Sequence, residues 1–350
     1  MQVTSISGVT VAASTNVDAQ EWDRFVDTQA EATGYHLWRW RQVMERGLGH
    51  RCRYFAARQD GRIVGILPTA EVRRPFVGSA LSSLPYLNYG GILAASPAAA
   101  AALVEHVSGI VSEERLSYLV LRHRRRLFSD LPVRSHKQTM MLALSETAEA
   151  MWTALDRKVR NQIRKAEKSG LSVVAGGAEL VDDFYGVFAR NMRDLGTPVY
   201  GRELFAEMVR ACPEGVRIHV VRLNGLTVAA AVSYRYREIV EVPSASALRE
   251  HRGLCPNHML YWHIIQMSIT EGARTLDFGR STPGDGTYQF KEQWGAVPEQ
   301  LEWEYVLGRG QQLPTSDRHD SKFNVAIAAW KRLPVGVTTV LGPRLARVVP

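Results

Sequence analysis

Residues 276–295 read Leu276-Asp277-Phe278-Gly279-Arg280-Ser281-Thr282-Pro283-Gly284-Asp285-Gly286-Thr287-Tyr288-Gln289-Phe290-Lys291-Glu292-Gln293-Trp294-Gly295. A short apolar run closes on a glycine and an arginine. A loop of Pro, Gly and Asp follows, then an aromatic-rich segment with a single lysine. Apolar runs bounded by turn residues predict a buried strand. Loops attached to such strands are where binding and catalytic side chains concentrate, and this loop holds more turn chemistry than a simple connection needs. Spacing alone leaves two readings open: a strand, turn and strand, or a site.

The chain around this stretch has 350 residues, which predicts two domains of ordinary size. With 45% hydrophobic and 22% charged residues it is a folded globular protein. Cys52, Cys212 and Cys255 are scattered without ligand spacing, which argues against a disulfide framework or a zinc site and fits a reducing cytoplasm. No basic region followed by an apolar core opens the chain, so no secretion signal is expected, and no apolar run reaches the length of a membrane span. The formal charge of +8 would attract phosphate-rich ligands, nucleic acid or an anionic membrane.

Helical spacing covers residues 18–30 and 38–47. A strand at 52–58, the turn Asp60-Gly61 and a return strand at 62–70 predict a hairpin, because both turn positions need positive φ. Strand and loop fill 73–91, Pro97 opens an alanine-rich helix, and 117–122 is another buried strand. The second half repeats the order: helices at 182–195 and 202–210, a strand at 216–222, the turn Asn224-Gly225, a return strand at 226–236, and Cys255-Pro256 opening a helix before the strand at 276. Superposing Gly61 on Gly225 aligns Arg53 with Arg217 and Arg58 with Arg222. The ordered pattern predicts an internal duplication, and the expected boundaries are 1–148, 149–307, and a linker and helical tail at 308–350. The first copy ends its matching strand in Arg122-His123-Arg124, without the Gly-Asp-Gly loop or the Phe-Lys pair, so the chemistry is expected in the second copy.

Two basic clusters stand out. Residues 151–169 predict one helix with Arg157, Lys158, Arg160, Arg164, Lys165 and Lys168 on one face and Trp152, Leu155, Val159, Ile163 and Ala166 on the other. It is either a solvated face or a phosphate-binding one. Arg122 to Arg126, with Arg134 and Lys137, form the second cluster. The tail from 322 carries apolar residues flanked by Trp330, Lys331, Arg332, Arg344 and Arg347. It fits a membrane surface or docking against its own protein.

The chain resembles the FemAB-type aminoacyl/peptidyl transferases of the GNAT-like superfamily, and most of all the FemAB-related proteins of exosortase and exopolysaccharide gene clusters. The resemblance spans nearly the whole chain. It rests on Tyr35-His36-Leu37-Trp38, Gly49-His50, Gly61-Arg62-Ile63-Val64-Gly65-Ile66-Leu67-Pro68 and Tyr86-Leu87-Asn88-Tyr89-Gly90-Gly91 in the first half. In the second half it rests on Arg157-Lys158-Val159-Arg160-Asn161-Gln162-Ile163-Arg164-Lys165-Ala166, Leu195-Gly196-Thr197-Pro198, Asp277-Phe278-Gly279-Arg280-Ser281, and Phe290-Lys291 with Trp294-Gly295. The tail motif Ala329-Trp330-Lys331-Arg332-Leu333-Pro334 adds to it.

The resemblance implies an α/β (α+β) fold of two tandem GNAT-like lobes, mixed sheets flanked by helices, without the coiled-coil arm of some relatives. It implies N-acyl transfer to an amine of a cell-envelope precursor, an exopolysaccharide amino sugar or a peptidoglycan peptide. No tightly bound cofactor is implied. The donor is a co-substrate: aminoacyl-tRNA, acyl-CoA or an acyl carrier protein. No Arg/Gln-x-x-Gly-x-Gly/Ala turn for a pyrophosphate is present, and Gly176-Gly177 is too short and wrongly placed to serve. Cysteine usage predicts the cytoplasm, and the tail leaves peripheral contact at the inner face of the membrane open beside docking on its own protein.

Acyl transfer to an amine needs a donor or cation for an oxyanion and an acceptor for a proton. The resemblance places Lys291 at the functional lysine, and Arg280 is a candidate clamp for phosphate or carboxylate. Asp285, Asp277 and Glu241 are candidate bases. Tyr288, Phe290, Trp294, Tyr86, Asn88 and Tyr89 are candidate substrate surface, though a packed turn accounts for the last three equally. Asn257 and His258 either cap a helix or touch ligand, and a metal role is not expected. Arg157, Lys158, Arg160, Arg164 and Lys165 are candidates for donor phosphate or tRNA. The competing expectation is a non-catalytic basic module that recruits RNA or a membrane-bound polysaccharide assembly.

Overall fold

The computed structural model describes residues 4–6, 8–14, 19–74, 78–314 and 321–348. The chain divides into two compact units. Unit 1 is Met1–Ser135, Leu301–Ser316 and Leu345–Pro350, and unit 2 is His136–Gln300 and Asp317–Arg344. In chain order the elements of the first half are β1 (Thr4–Ile6), β2 (Val9–Ala13), α1 (Ala19–Thr28), α2 (Trp40–Gln42), β3 (Arg51–Gln59), β4 (Arg62–Arg74), β5 (Gly78–Ser82), β6 (Leu93–Ala94), α3 (Pro97–Glu113), β7 (Tyr118–His123) and β8 (Val133–Ala143). Next come α4 (Ala148–Ala154), α5 (Arg157–Lys168), β9 (Leu171–Gly176), α6 (Val181–Leu195), α7 (Arg202–Ala211), β10 (Val216–Leu223), β11 (Leu226–Tyr236) and β12 (Ile239–Ala247). The chain continues with α8 (Pro256–Thr270), β13 (Thr275–Ser281), α9 (Gly286–Glu292), β14 (Val297–Leu307), α10 (Ser321–Arg332) and α11 (Val335–Ala346).

In unit 1 the strands run in the order β1-β2-β3-β4-β5-β7-β14, and in unit 2 in the order β8-β13-β12-β11-β10-β9. Each unit holds one parallel pair among antiparallel neighbours, β5 with β7 and β12 with β13. The order α1, α2, β3, β4, β5, α3, β7 of unit 1 recurs in unit 2 as α6, α7, β10, β11, β12, α8, β13. The duplication reaches individual residues. Both hairpins turn on two residues of positive φ, Asp60 (48°) with Gly61 (77°) and Asn224 (50°) with Gly225 (82°), the geometry that matches strand twist. Both carry a register shift beside the aligned arginine, at Ala57/Arg58 and Val221/Arg222. Arg58 reaches Glu21 of α1 at 2.6 Å, and Arg222 reaches Asp183 of α6 at 3.1 Å. The two arginines do the same job in both copies.

The observed division departs from the expected boundaries where strands are exchanged along the chain. From Leu301 onward β14 pairs antiparallel with β7, Glu302 facing His123 through Leu307 facing Tyr118, so it completes unit 1. From Gln138 onward β8 pairs with β13 and belongs to unit 2. The predicted helix over 151–169 is two helices. Leu155 and Asp156 are extended, and the Asp156 carboxylate accepts the Lys158 N–H at 2.6 Å, an N-cap that starts a new helix. Of the linker expected at the start of 308–350, residues 315–320 lie outside the described residues.

Two arginines of the second basic cluster are spent inside unit 1. Arg122 is buried, donates to the Leu87 carbonyl at 2.9 Å and stacks over Trp303 at 4.4 Å, while Arg126 donates to the Phe128 carbonyl. The segment 86–91 is also interior. Tyr86 donates to the Ala346 carbonyl at 3.0 Å, Asn88 and Tyr89 are buried, and a Cβ on Gly91 would lie 1.9 Å from His123. These residues form a packed turn and present no open surface for a sugar.

His123 and Glu304 hold this turn. His123 Nε2 accepts the Ile92 N–H at 2.8 Å, so Nδ1 carries the proton and donates it to Glu304 Oε2 at 2.5 Å. Glu304, with no exposed surface, also accepts the N–H groups of Leu127 and Phe128. Burial alone would raise its pKa, but these hydrogen bonds outweigh it and hold the carboxyl below its usual range. Glu304→Gln is expected to cost about 2 kcal/mol, because the amide sets an N–H₂ against a donor. A depressed carboxylate stabilises the fold above its unfolded pKa and loses that effect as pH falls. The stability gap between wild type and variant, read by urea unfolding, therefore closes in acid.

Candidate active site

The parallel pair of unit 2 is short. Ile239, Val240 and Glu241 face Thr275, Leu276 and Asp277, and there the pairing stops. Beyond that point β12 follows β11 to Ala247, and β13 follows β8 to Ser281. Irregularities sit at the fork on both strands. On β12 the register shifts between the pairs Val232–Ser244 and Tyr234–Glu241, around Pro243, which has no N–H for a ladder. On β13 it shifts between Asp277 and Arg280, where Gly279 takes φ 74°. The parting strands free backbone groups that must find other partners.

Lys291 supplies one such partner. The segment left open between a return strand and a site is helix α9, which carries the lysine back onto β13. Its Nζ donates to the Gly279 carbonyl at 2.8 Å and the Arg280 carbonyl at 3.0 Å. The side chain is buried, 7% exposed. Burial lowers its pKa to about 8, with Arg280 acting in the same direction and Asp277 and Glu241 opposing. An ammonium has three N–H groups, and two are spent on the carbonyls. No further hydrogen bond of this ammonium is present among the described residues.

Asp277 is 1% exposed and sets the bulge: its Oδ1 accepts the Gly279 N–H at 2.8 Å and the Thr139 hydroxyl at 2.5 Å. Glu241, also buried, stands opposite it as the last parallel pair. Arg280 is half-buried on the same strand end. Asp285 is exposed at the N-cap of α9 and is not among the charges that act on Lys291.

An aromatic wall flanks the lysine. His258, one turn into α8, stacks on Trp294 at 5.8 Å and meets Phe290 edge-on at 5.2 Å, and Tyr261 and Phe278 continue the cluster. Burial, and then Lys158, lower the His258 pKa to about 4, so the imidazole is neutral near pH 7. His258 Nε2, Asn257 Oδ1, Trp294 Nε1 and Ser281 Oγ are buried atoms without a hydrogen-bond partner. Tyr288 is half-buried against the same core.

The α5 helix packs Val159, Ile163 and Ala166 inward and leaves Arg157, Lys158, Arg164 and Lys165 exposed, with Arg160 half-buried. None of the five is in an ion pair among the described residues. Gln162 of α5 accepts from Cys255 at the start of α8 at 2.6 Å, and Lys158 and Lys165 are close enough to act on His258 and Cys255. The structure thus groups Lys291, Asp277, Glu241, Arg280, Phe290, Trp294, Asn257 and His258 with the basic helix, and leaves out Asp285, Tyr86, Asn88 and Tyr89. Thr139 and Ser281 were not readable as site residues: Thr139 reaches Asp277 only through a long-range strand pairing. Among the described residues no group of His, Cys, Asp or Glu is placed to hold a metal ion.

Residues 154–292, which hold both parting strands and Lys291, match the sequence model described as an acetyltransferase (GNAT) domain. Unit 2 thus has the fold of a GNAT domain. The whole chain follows the tandem architecture of known structures. FemX superposes with a TM-score of 0.63 at 15% identity, over 84% of this chain and 96% of FemX. The C-terminal domain of a putative lysylphosphatidylglycerol synthetase from Agrobacterium fabrum gives 0.57 at 11% identity, over 89% and 94%. A tandem GNAT protein from the clavulanic acid biosynthesis pathway gives 0.54 at 12% identity, over 85% and 97%. No curated protein matches in sequence.

Proposed function

We propose that this chain is an N-acyltransferase that moves an acyl or aminoacyl group onto an amine of a cell-envelope precursor, an exopolysaccharide amino sugar or a peptidoglycan peptide. The observation that carries this reading is Lys291, a buried ammonium with one N–H unspent at the fork of β12 and β13 in a GNAT-type domain. The acceptor amine attacks the donor carbonyl, and the carbonyl oxygen takes up the negative charge. The Lys291 ammonium faces that charge from a site with little water, where it counts for more than in solvent. Glu241, buried at the same fork, takes the proton that the attacking nitrogen must lose. The carbonyl then re-forms and the donor's carrier leaves with its bonding pair and a proton. Likeness to FemX and to the putative lysylphosphatidylglycerol synthetase domain supports the transfer of an acyl or aminoacyl group.

The carrier is aminoacyl-tRNA, acyl-CoA or an acyl carrier protein, and each presents phosphate. The unpaired cations of α5 beside the start of α8 are its receptor. The enzyme works in the cytoplasm at the inner face of the membrane. Incubation with each donor and a nucleotide-linked amino sugar, followed by mass spectrometry, tests this. One donor is expected to add its acyl mass, and Arg160→Glu with Arg164→Glu is expected to raise KM for that donor about tenfold or more, with a steep salt dependence. No mass gain from any donor, with salt-dependent RNA binding retained, would establish the basic binding module instead.

A further inference from the structure

The last two helices leave an apolar face that their own packing does not use. On α11 the buried positions are Thr338, Gly342 and Ala346, spaced one turn apart. They are packed tightly: a Cβ on Gly342 would lie 2.8 Å from Val199. Away from them Val337, Val340, Leu341 and Leu345 are 40%, 63%, 40% and 45% exposed. α10 adds Val325, and α6 ends in exposed Leu195, next to Gly196, where a Cβ would meet Ile327 of α10. Ten large apolar side chains are exposed among the described residues, and these six are most of them. Exposed apolar groups scattered singly are ordinary, but a cluster on neighbouring helices marks a contact surface.

Charge says what the contact is. Residues 321–350 hold Lys322, Lys331, Arg332, Arg344 and Arg347 and no Asp or Glu. The neighbouring Asp194 is paired with Arg193 at 2.6 Å. A second copy of this chain would set like cations against each other across a two-fold interface, which costs affinity. An anionic bilayer meets both features: the headgroup region accepts the apolar side chains, and lipid phosphates accept the cations. No described helix is long and apolar enough to cross a membrane, so the contact is with the surface.

We propose that α10 and α11 seat the protein on bilayers containing anionic lipid, with Val337, Val340, Leu341 and Leu345 among the headgroups and Lys331, Arg332 and Arg344 against phosphates. The proposal rests on these helices and not on the transferase reading. The test is flotation of the full chain with vesicles of phosphatidylcholine alone or mixed equally with phosphatidylglycerol. The chain is expected to float with the mixed vesicles and not with phosphatidylcholine alone. V340E with L341E is expected to lower binding about tenfold or more, and neutralising Lys331, Arg332 and Arg344 to glutamine roughly fivefold per cation. L226E, at an exposed hairpin turn elsewhere, should float like wild type. Failure to float, or unchanged flotation of V340E/L341E with its melting temperature preserved, overturns the proposal. So does sedimentation showing that V340E/L341E turns a dimer into a monomer, since the face would then belong to a second copy. No turnover is measured, so failure here leaves the catalytic reading standing.

Discussion

Lys291→Met lowers kcat on the order of 100- to 1,000-fold, the loss seen when an oxyanion donor is removed. Methionine keeps most of the length and volume of the buried chain while taking away the charge and the N–H groups. KM for the donor should change little, because the cations of α5 are untouched. Lys291→Arg should not rescue, since a planar fork cannot repeat the two bonds to the Gly279 and Arg280 carbonyls and still offer a third N–H to the reacting oxygen. The pH profile carries the sharper test. The ammonium is the active form and its pKa sits at about 8, so the rate falls as pH rises through that value, and the residual activity of the methionine variant lacks this limb. Stability runs the other way. The folded pKa lies below the ordinary lysine value, so the unfolded chain binds the proton more tightly between them, and wild-type stability gains with pH across that window. A wild-type profile flat through pH 8, or a methionine variant with normal kcat, would remove Lys291 from the chemistry.

Most of the fold was legible because it is duplicated. Two Asx-Gly turns flanked by strands of matching length, each followed by a proline-opened helix, state the plan twice, and the aligned Arg58 and Arg222 mark the same bulge and the same tie to a helix. Local patterns failed where long-range partners decided the outcome. The pairing of β14 with β7 places a late strand in the first unit, and no periodicity encodes that. The segment after Pro283 is rich in aromatics and reads as a strand. The turn ending at Asp285 and the core holding Phe290 and Trp294 make it a helix instead, and the helix buries the lysine. The period over 151–169 hides a break, because the Asp156 carboxylate caps a second helix start. Resemblance points to Lys291; its burial and its two carbonyl partners come only from the fork. Tyr86, Asn88 and Tyr89 look like a binding surface in sequence because packed turns and sugar sites use the same residue types.

Asp277 separates positioning from charge, and two substitutions divide the roles. Asp277→Asn keeps an oxygen that can accept from Thr139 and from the Gly279 N–H, so the bulge stays and the fold melts close to wild type. What goes is a negative charge that raises the Lys291 pKa. The falling limb of the rate profile should therefore move below about 8, and activity at pH 8 should drop more than activity at pH 6. Asp277→Ala removes the acceptor as well, leaving a buried N–H and a buried hydroxyl unmet, at roughly 2–3 kcal/mol of stability. It should also free Gly279 from its turn and misplace the two carbonyls that hold Lys291, so kcat falls at every pH, by about 100-fold or more if the ammonium is left misaligned. A proton-accepting aspartate would behave otherwise: Asp277→Asn and Asp277→Ala would be equally dead, and the rising limb of the profile would vanish in both. Retained activity in the asparagine variant with an acid-shifted falling limb assigns Asp277 to positioning and leaves proton acceptance to Glu241.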